Sequence, residues 1–305
     1  MLLALQLVRR HLAPTPLTEA PALGRRLGRP VQVKCENRAP TRSFKVRGAL
    51  AGLSQPEAVR GAVTASTGNH GAAMAYAGRQ LGRPVHVVVP VNAPENKVAL
   101  IRSLGGEVVV EGADVDASAD RGRELADHLG LPYLQDGEDP AFMAGAATLA
   151  WEVFHELPEA ETIVVPVGGG NLLAAVALVA TILAPRCRVI GVQSEQAPAV
   201  AHSFRAGHPV TAPIGTVASG LATGRPADLA FAVIRSTVHD VLTVPDDAFF
   251  PAMSTALEAV GEMAEPSGAA PFAALDQLPP GTGPVVLVLS GGNVRRSELL
   301  AALDG

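Results

Sequence analysis

The hydrophobic positions of the chain recur with two spacings, in short continuous or alternating runs and at every third or fourth residue of longer stretches. The short runs predict β-strands and the longer stretches predict α-helices. The predicted strands from residue 61 onwards are 62–66, 85–89, 107–111, 132–134, 162–167, 188–193, 240–244 and 285–290. The predicted helices are 69–81, 95–104, 115–129, 141–157, 172–183, 197–206, 227–236, 246–261 and 267–276. Strands that alternate with helices in this way pair in parallel.

The alternation falls into two sets, and a polar segment, residues 136–140, marks the end of the first set. Before the regular alternation begins, residues 1–30 predict a short amphipathic helix among several prolines, and residues 31–36 predict a strand with one solvated face. We therefore predict an α/β protein with two open parallel sheets. Ligands of such sheets bind beyond the carboxyl ends of the strands, so the loops that follow the strands are candidate sites.

Composition and charge narrow the class of protein. The 305 residues, of which 48% are hydrophobic, are enough for two domains that share a cleft. The net charge of −5, without any long basic run, argues against nucleic acid or an anionic membrane as the main partner. Residues 1–8 are apolar but too few to span a bilayer, and Cys35 and Cys187 lack the spacing of metal ligands. We expect a cytoplasmic protein with a small-molecule ligand.

Residues 41–49 place one lysine, Lys45, beside the aromatic ring of Phe44 at the start of a predicted helix. Ser43 is the predicted N-cap of that helix. An amine forms a Schiff base with an aldehyde only in its neutral form, and Lys45 is therefore a candidate nucleophile. Taken alone, however, a lysine in a first helical turn is more often a solvated surface charge.

Three further loops follow apolar strands. Residues 167–172 contain three consecutive glycines, whose backbone N–H groups can surround one anion at a helix start; the alternative is a tight turn. Residues 66–71 offer hydroxyls, an amide and N–H groups to a carboxylate, although Thr67 or Asn69 as a simple helix cap explains them equally well. Residues 290–293 end a buried strand, and the serine can bond a ring nitrogen, but the motif alone predicts only a turn.

Together these segments resemble the fold type II pyridoxal-phosphate enzymes, most closely the threonine/serine dehydratase and serine racemase group. The resemblance covers nearly the whole chain. It rests on six motifs in the order and spacing of the family, namely residues 43–49, 66–70, 166–170, 189–194, 265–266 and 290–293. It implies a large cofactor-binding domain of residues 1–55 and 140–305, a small substrate-side domain of residues 56–139, the cofactor in the cleft between them, and a homodimer.

The resemblance also assigns roles to single residues. Lys45 would be catalytic, holding pyridoxal 5′-phosphate as a Schiff base and taking the Cα proton of the substrate, and Thr67 would be a second acid/base group. The implied cofactor contacts are Phe44, Lys45, Asn69, Gly168, Gly169, Gly170, Asn171, Leu172, Glu265 and Ser290. The implied contacts to the substrate are Ser66, Thr67, Gly68, Asn69 and His70.

The implied reaction is an ammonia-lyase reaction, in which a β-hydroxy-L-amino acid loses water and the dehydrated product is then hydrolysed to a 2-oxo acid and ammonia. Ser290, implied as the partner of the pyridine nitrogen, is neutral and cannot hold a pyridinium, which makes the ring a weaker electron sink and favours elimination. Threonine, serine, 3-hydroxyaspartate and bulkier 3-substituted serines are the candidate substrates. The chain ends shortly after residues 290–293, and the resemblance then implies no regulatory domain and no amino-acid allostery.

Several positions depart from the pattern of the family. Arg42 stands where glycine is usual, and it is either a contact for a distal carboxylate or a surface arginine. Ser219 replaces an aspartate and residues 146–147 replace a Gln-Gly pair, which leaves room for a bulkier substrate. Gln193 and Ala199 stand where racemases of the group place the acidic ligands of a divalent cation, so that we expect no metal.

Two alternatives to a dehydratase stay open. Thr67 keeps a hydroxyl where racemases of the group carry serine and dehydratases often carry alanine, so an amino-acid racemase, or a β-replacement enzyme of the same fold, is one alternative. A binding protein that has kept the fold without the chemistry is the other. The intact Lys45 argues against the second.

Overall fold

The structure, a computed structural model, describes residues 1–304 of the chain, and these form two units. The first unit comprises Met1–Ala13 and Lys45–Thr148. The second comprises Pro14–Phe44 and the chain from Leu149 onwards. The chain thus passes from one unit to the other at three peptide bonds, after Ala13, after Phe44 and after Thr148. Each unit contains one of the two sheets.

The strands and helices of the described residues follow the predicted alternation. The strands are β1 (Leu17–Glu19), β2 (Val31–Cys35), β3 (Ala62–Ala65), β4 (Val85–Val89), β5 (Glu107–Val110), β6 (Thr162–Pro166), β7 (Arg188–Ser194), β8 (Asp240–Val244) and β9 (Val285–Leu289). The α-helices are α1 (Leu2–His11), α2 (Pro21–Leu27), α3 (Lys45–Leu53), α4 (Asn69–Leu81), α5 (Glu95–Ser103), α6 (Val115–Leu129), α7 (Pro140–Glu156), α8 (Asn171–Leu183), α9 (Ala199–Ala206), α10 (Asp228–Thr237), α11 (Phe249–Val260), α12 (Pro266–Ala273) and α13 (Arg296–Asp304).

The sheet of the first unit is parallel and has the order β3-β4-β5. The predicted strand at residues 132–134 is wrong as a full strand, because only an isolated parallel bridge between Tyr133 and Val63 forms there. Two backbone hydrogen bonds hold it, from Val63 N to Pro132 O at 2.9 Å and from Leu134 N to Val63 O at 2.8 Å. The bridge still fixes where the chain leaves the sheet edge on its way to α7.

The sheet of the second unit has the order β1-β2-β9-β6-β7-β8, and every pair except β1-β2 is parallel. All five residues of β9 are buried, as the uninterrupted apolar run predicts. The solvated face predicted for β2 is wrong, since Lys34 is fully buried there. A lysine in an alternating pattern indicates a solvated face, and in this strand an internal ion pair replaces water.

Glycine contacts join helix α3 to the start of helix α7 within the first unit. A Cβ at Gly48 of α3 would lie 3.0 Å from the carbonyl oxygen of Phe142 in α7, and one at Gly52 would collide with the Phe142 ring. Helix α3 therefore packs closely on the first turns of α7. The unit differs from the predicted residues 56–139 by including residues 1–13, 45–55 and 140–148.

None of the helices in residues 1–304 combines the length and the apolarity that a membrane crossing requires.

Candidate active site

Lys45 is the first residue of α3, one position later than the predicted start of that helix. Its ammonium group forms an ion pair with a carboxylate oxygen of Asp136. The side chain of Lys45 is 27% exposed and that of Asp136 is 13% exposed. The alternative of a solvated surface charge is therefore wrong, because this lysine is held by a carboxylate in a partly buried position.

Residues 66–70 connect β3 to α4, at the carboxyl end of the strand. The N-cap of α4 is Gly68, and no side chain caps the helix. Ser66 instead bonds within the loop, accepting a hydrogen bond at 3.1 Å from the backbone N–H of Gly68. Simple capping by Thr67 or Asn69 is therefore wrong as an account of this motif. The first N–H groups of a helix have no acceptor within it and carry a partial positive charge, which suits a carboxylate.

His70 lies in the first turn of α4 and faces the interior of the first unit. Its Nε2 lies 3.0 Å from the hydroxyl of Thr64 and 3.5 Å from the carbonyl oxygen of Leu134, and its ring centroid is 5.6 Å from that of Phe142. Burial lowers the pKa of His70 to about 4, although the nearby Asp136 opposes the shift, and the imidazole is neutral at pH 7. Its Nδ1 is buried without a hydrogen-bond partner among the described residues. Such an atom marks a place that a bound group can complete.

The three glycines after β6 form a loop that leads into α8. Gly170 is the N-cap, with φ 101°, in the left-handed region that favours glycine, and no side chain caps the helix. A Cβ at Gly168 would lie 2.7 Å from the carbonyl oxygen of Gly220, whereas one at Gly169 would meet nothing closer than 3.7 Å. The loop is therefore tightly packed on one side and has room at its middle residue. Asn171 and Leu172 follow as the buried first residues of the helix.

Gln193 supports this loop from beneath and is fully buried at the end of β7. Its side-chain amide donates a hydrogen bond to the carbonyl oxygen of Gly168 at 3.3 Å and accepts one from the backbone N–H of Ala201 at 2.9 Å. The side chain thus ties the glycine loop to α9. Sequence reasoning noted Gln193 only as a missing carboxylate, although a polar residue in a buried apolar strand signals a hydrogen-bonding role.

Backbone contacts bring Phe44, Ser290 and Glu265 together in the second unit. The N–H of Phe44 donates to the carbonyl oxygen of Ser290 at 3.0 Å, and Ser43 pairs with Gly291 in an antiparallel bridge. The N–H of Glu265, the N-cap of α12, donates to the carbonyl oxygen of Gly291 at 3.0 Å. Ser290 follows directly on the buried strand β9 and is itself buried. Three predicted cofactor contacts therefore converge on the end of one strand.

The predicted residues fall into two groups. Lys45 and residues 66–70 belong to the first unit, and Phe44, residues 168–172, Glu265 and Ser290 belong to the second. Sequence reasoning missed the contact that Asp136 makes with Lys45, because residues 136–140 were interpreted only as a boundary. The signal that could have found it is its place just after a strand-like segment at a sheet edge.

Two positions that depart from the family pattern lie at the surface. Arg42 is exposed, and with φ 54° it is the only residue other than glycine with positive φ among residues 1–304. Ser219 is exposed as well. Ala146 and Ala147 are buried. In residues 1–304 no group of three or more histidine, cysteine, aspartate or glutamate side chains is arranged to hold a metal ion.

Comparisons with known proteins add to this geometry. The sequence model of the family described as pyridoxal-phosphate dependent enzyme matches residues 8–291. The biosynthetic L-threonine dehydratase of Salmonella typhimurium is 37% identical over 295 residues, which are 95% of this chain and 55% of that protein. The chain thus spans about half the length of that relative. The serine racemase of Oryza sativa subsp. indica is 32% identical over 300 residues, 95% of this chain and 88% of that protein.

Among solved structures, the processed form of threonine deaminase isoform 2 from Solanum lycopersicum is similar with a TM-score of 0.93 and 30% identity. The match covers 99% of this chain and 91% of that one.

Proposed function

The chain belongs to the family of pyridoxal-phosphate dependent enzymes, and from that premise we propose that it is an ammonia-lyase acting on a β-hydroxy-L-amino acid. The products would be a 2-oxo acid and ammonia. The observation that carries the proposal is the neutral hydroxyl of Ser290, buried after β9 beside Phe44. The dehydratase and deaminase names of two similar proteins support the same reaction class.

Residues of the chain fit the cofactor. When bound, pyridoxal phosphate supplies an aldehyde that joins to an amine and a ring that accepts electrons from the Cα atom of an amino acid. The glycine loop at the start of α8 offers N–H groups and the positive end of a 13-residue helix to its phosphate. Lys45 offers a partly buried amine that is paired with the carboxylate of Asp136. The buried Nδ1 of His70 has a hydrogen bond to give or receive.

Each predicted contact has a proposed task. Lys45 would make the covalent link and would serve as the base that removes the Cα proton, for which its neutral form is required. Phe44 would pack on the ring, the hydroxyl of Ser290 would bond the ring nitrogen, and residues 168–172 would bind the phosphate. Asn69 and Glu265 would complete the contacts to the ring.

We propose that the substrate carboxylate binds at residues 66–70. The uncapped N-terminus of α4 provides N–H donors, and Ser66, Thr67 and Asn69 add polar side chains. The neutral His70 adds a further polar atom at this loop.

The substrate side chain is the finer part of the proposal. Ala146 and Ala147 are small, and Ser219 brings no charge, so we propose that a 3-substituted serine larger than threonine is accepted. Turnover of threonine, 3-hydroxyaspartate and phenylserine by the purified protein tests this through the 2-oxo acid released. Release of ammonia and 2-oxo acid from at least one of them is expected, and K45A should abolish it.

The outcomes of that assay distinguish the proposed ammonia-lyase reaction from the proposed preference for a larger side chain. If threonine is turned over by orders of magnitude faster than phenylserine, the proposed preference for a larger side chain is wrong and the ammonia-lyase stands. If none of the three yields a 2-oxo acid while K45A and the wild-type protein behave alike, the ammonia-lyase itself is refuted.

A racemase is a second candidate function, favoured by the hydroxyl of Thr67 and by the similarity to the rice serine racemase. A racemase needs a proton donor on the face of Cα opposite the lysine, and Thr67 is the proposed donor. Chiral analysis of recovered serine would show the D-enantiomer, and T67A should remove it while leaving elimination in place. Recovered serine that stays entirely in the L-form would exclude this candidate.

A further inference from the structure

We propose that Asp136 is a further catalytic residue. When the neutral amine of Lys45 removes the Cα proton of the substrate, the Asp136 carboxylate pairs with the ammonium that forms. The inference rests on the proposed function in one respect, the role of Lys45 as the base. It starts from a contact that the motifs do not suggest, the ion pair between the Lys45 ammonium and the Asp136 carboxylate.

The backbone fixes Asp136 from both sides. Before it, the N–H of Leu134 donates to the carbonyl oxygen of Val63 in β3 at 2.8 Å. After it, the carboxylate of Asp139 accepts a hydrogen bond from the N–H of Ala141 at 2.7 Å, at the start of α7. Gly137, with φ 94°, lets the chain turn between these anchors. The position of the carboxylate is therefore set by the sheet and a helix of the same unit.

The environment of the pair makes the attraction effective. At 27% and 13% exposure the two side chains are shielded from water, in contrast to the surface pair Arg121 and Glu124 at 52% and 64%. Water and salt screen a partly buried pair less than an exposed one. The neighbouring His70 is neutral at pH 7 and does not compensate the carboxylate. The Asp136 carboxylate is therefore placed to attract a positive charge on the amine of Lys45.

This attraction assists one step of the proposed reaction. As elimination proceeds, the Cα–H bond breaks and an N–H bond forms on the amine of Lys45. The electron pair left at Cα forms the Cα–Cβ double bond. The hydroxyl group on Cβ leaves as water, after it has accepted a proton from an acid. The amine has then become an ammonium, and its new charge lies next to a carboxylate already in place. A preorganised charge of this kind stabilises the product side of proton transfer.

The chain offers an internal standard for a direct test, because it contains three lysines, Lys34, Lys45 and Lys97. Acetic anhydride in trace amounts acetylates only neutral amines, and peptide mass spectrometry compares Lys45 with Lys97 in the full chain after any bound cofactor has been removed. D136N, which removes the charge but keeps the shape, should raise the labelling of Lys45 relative to Lys97 about fivefold. D136E, which keeps the charge, should stay close to the wild-type ratio. E138Q, a nearby exposed acid, should leave it unchanged.

The rank order of the variants distinguishes an effect of the lost negative charge from an effect of disrupted packing. If D136E raises the labelling as much as D136N, the contact serves packing alone and the proposal is refuted.

The enzyme with pyridoxal phosphate gives a second readout, the exchange of the substrate Cα proton in deuterium oxide. D136N should slow this exchange at least as strongly as it slows release of the 2-oxo acid. An unchanged exchange rate would overturn the catalytic role of Asp136. If no amino acid exchanges with any variant but the labelling ratio changes as expected, the proposed function fails while the pairing of Asp136 with Lys45 stands.

Discussion

His70 illustrates at the scale of one residue how burial prepares a group for a ligand. Its motif placed it in the substrate loop, but the sequence could not reveal that Nδ1 is buried without a partner or that the ring is neutral. Both properties depend on Thr64, Leu134 and Phe142, which lie far apart in sequence or on another element. Charge state is a property of surroundings, which a motif does not contain.

The pKa of His70 gives a stability prediction with a definite sign. Between pH 6.5 and about pH 4 the unfolded chain binds a proton on this histidine and the folded chain does not. Stability therefore falls as the pH is lowered through that window, and the full loss from this group is about 3 kcal/mol. Urea denaturation at pH 7 and pH 4.5 measures the loss for the wild-type protein and for H70Q.

H70Q serves as the control because carboxylates also contribute to acid sensitivity. The difference between wild type and H70Q in their loss of stability isolates the histidine. Equal losses in the two proteins would mean that His70 is free to become charged in the folded state.

At the scale of elements, strand β2 and helix α7 are joined by a buried ion pair. The ammonium of Lys34 lies 2.6 Å from a carboxylate oxygen of Glu152 and donates to the carbonyl oxygen of Thr15 at 2.7 Å. The side chains are 0% and 6% exposed. The alternating pattern of β2 predicted a solvated lysine because no local signal identifies a partner more than a hundred residues away.

Replacing one charged side chain of this pair should lower the free energy of unfolding more than replacing both. E152L leaves the Lys34 charge buried without its partner, and the free energy of unfolding should fall by about 3–5 kcal/mol. The double variant K34M/E152L should recover most of that loss. Urea denaturation measures both, and D276N, in the exposed pair with Arg26, should change stability by less than about 1 kcal/mol. A double variant as unstable as E152L would contradict the charge explanation.

Gln193 joins three elements in the same way, since its amide connects the end of β7 to the glycine loop and to α9. The loop itself could be predicted from its glycines and its place after a strand. The support beneath it could not, because a hydrogen bond between strand and loop depends on sheet register.

The support of the glycine loop can be measured through cofactor affinity. Q193A removes both hydrogen bonds, and the dissociation constant for pyridoxal phosphate should rise about threefold to tenfold because the loop loses its fixed shape. Equilibrium dialysis gives the constant directly. Q196A, which changes an exposed glutamine three residues away, is the matched control and should bind as the wild type does. An unchanged constant for Q193A would mean that the loop holds its shape without this side chain.

At the scale of the whole molecule, the α/β class, the family and the cofactor predicted from the sequence are confirmed. The alternation of apolar segments predicted the α/β class, because it constrains which strands can pair in parallel. The family and the cofactor were predicted from the resemblance of six motifs. The unpredicted elements α2, β1 and α13 are short and lie near the chain ends or among prolines. The exact unit boundary depended on the fit of Phe142 against the glycines of α3. The homodimer and the cytoplasmic location stay predictions.

The central claim is that Lys45, and no other lysine, holds pyridoxal phosphate covalently. Borohydride reduction of the purified protein makes such a link permanent, and peptide mass spectrometry then locates the added group among Lys34, Lys45 and Lys97. We predict the added group on Lys45 alone and its absence from K45R. Modification of Lys97 or Lys34 instead, or no modification after incubation with the cofactor, would contradict the account.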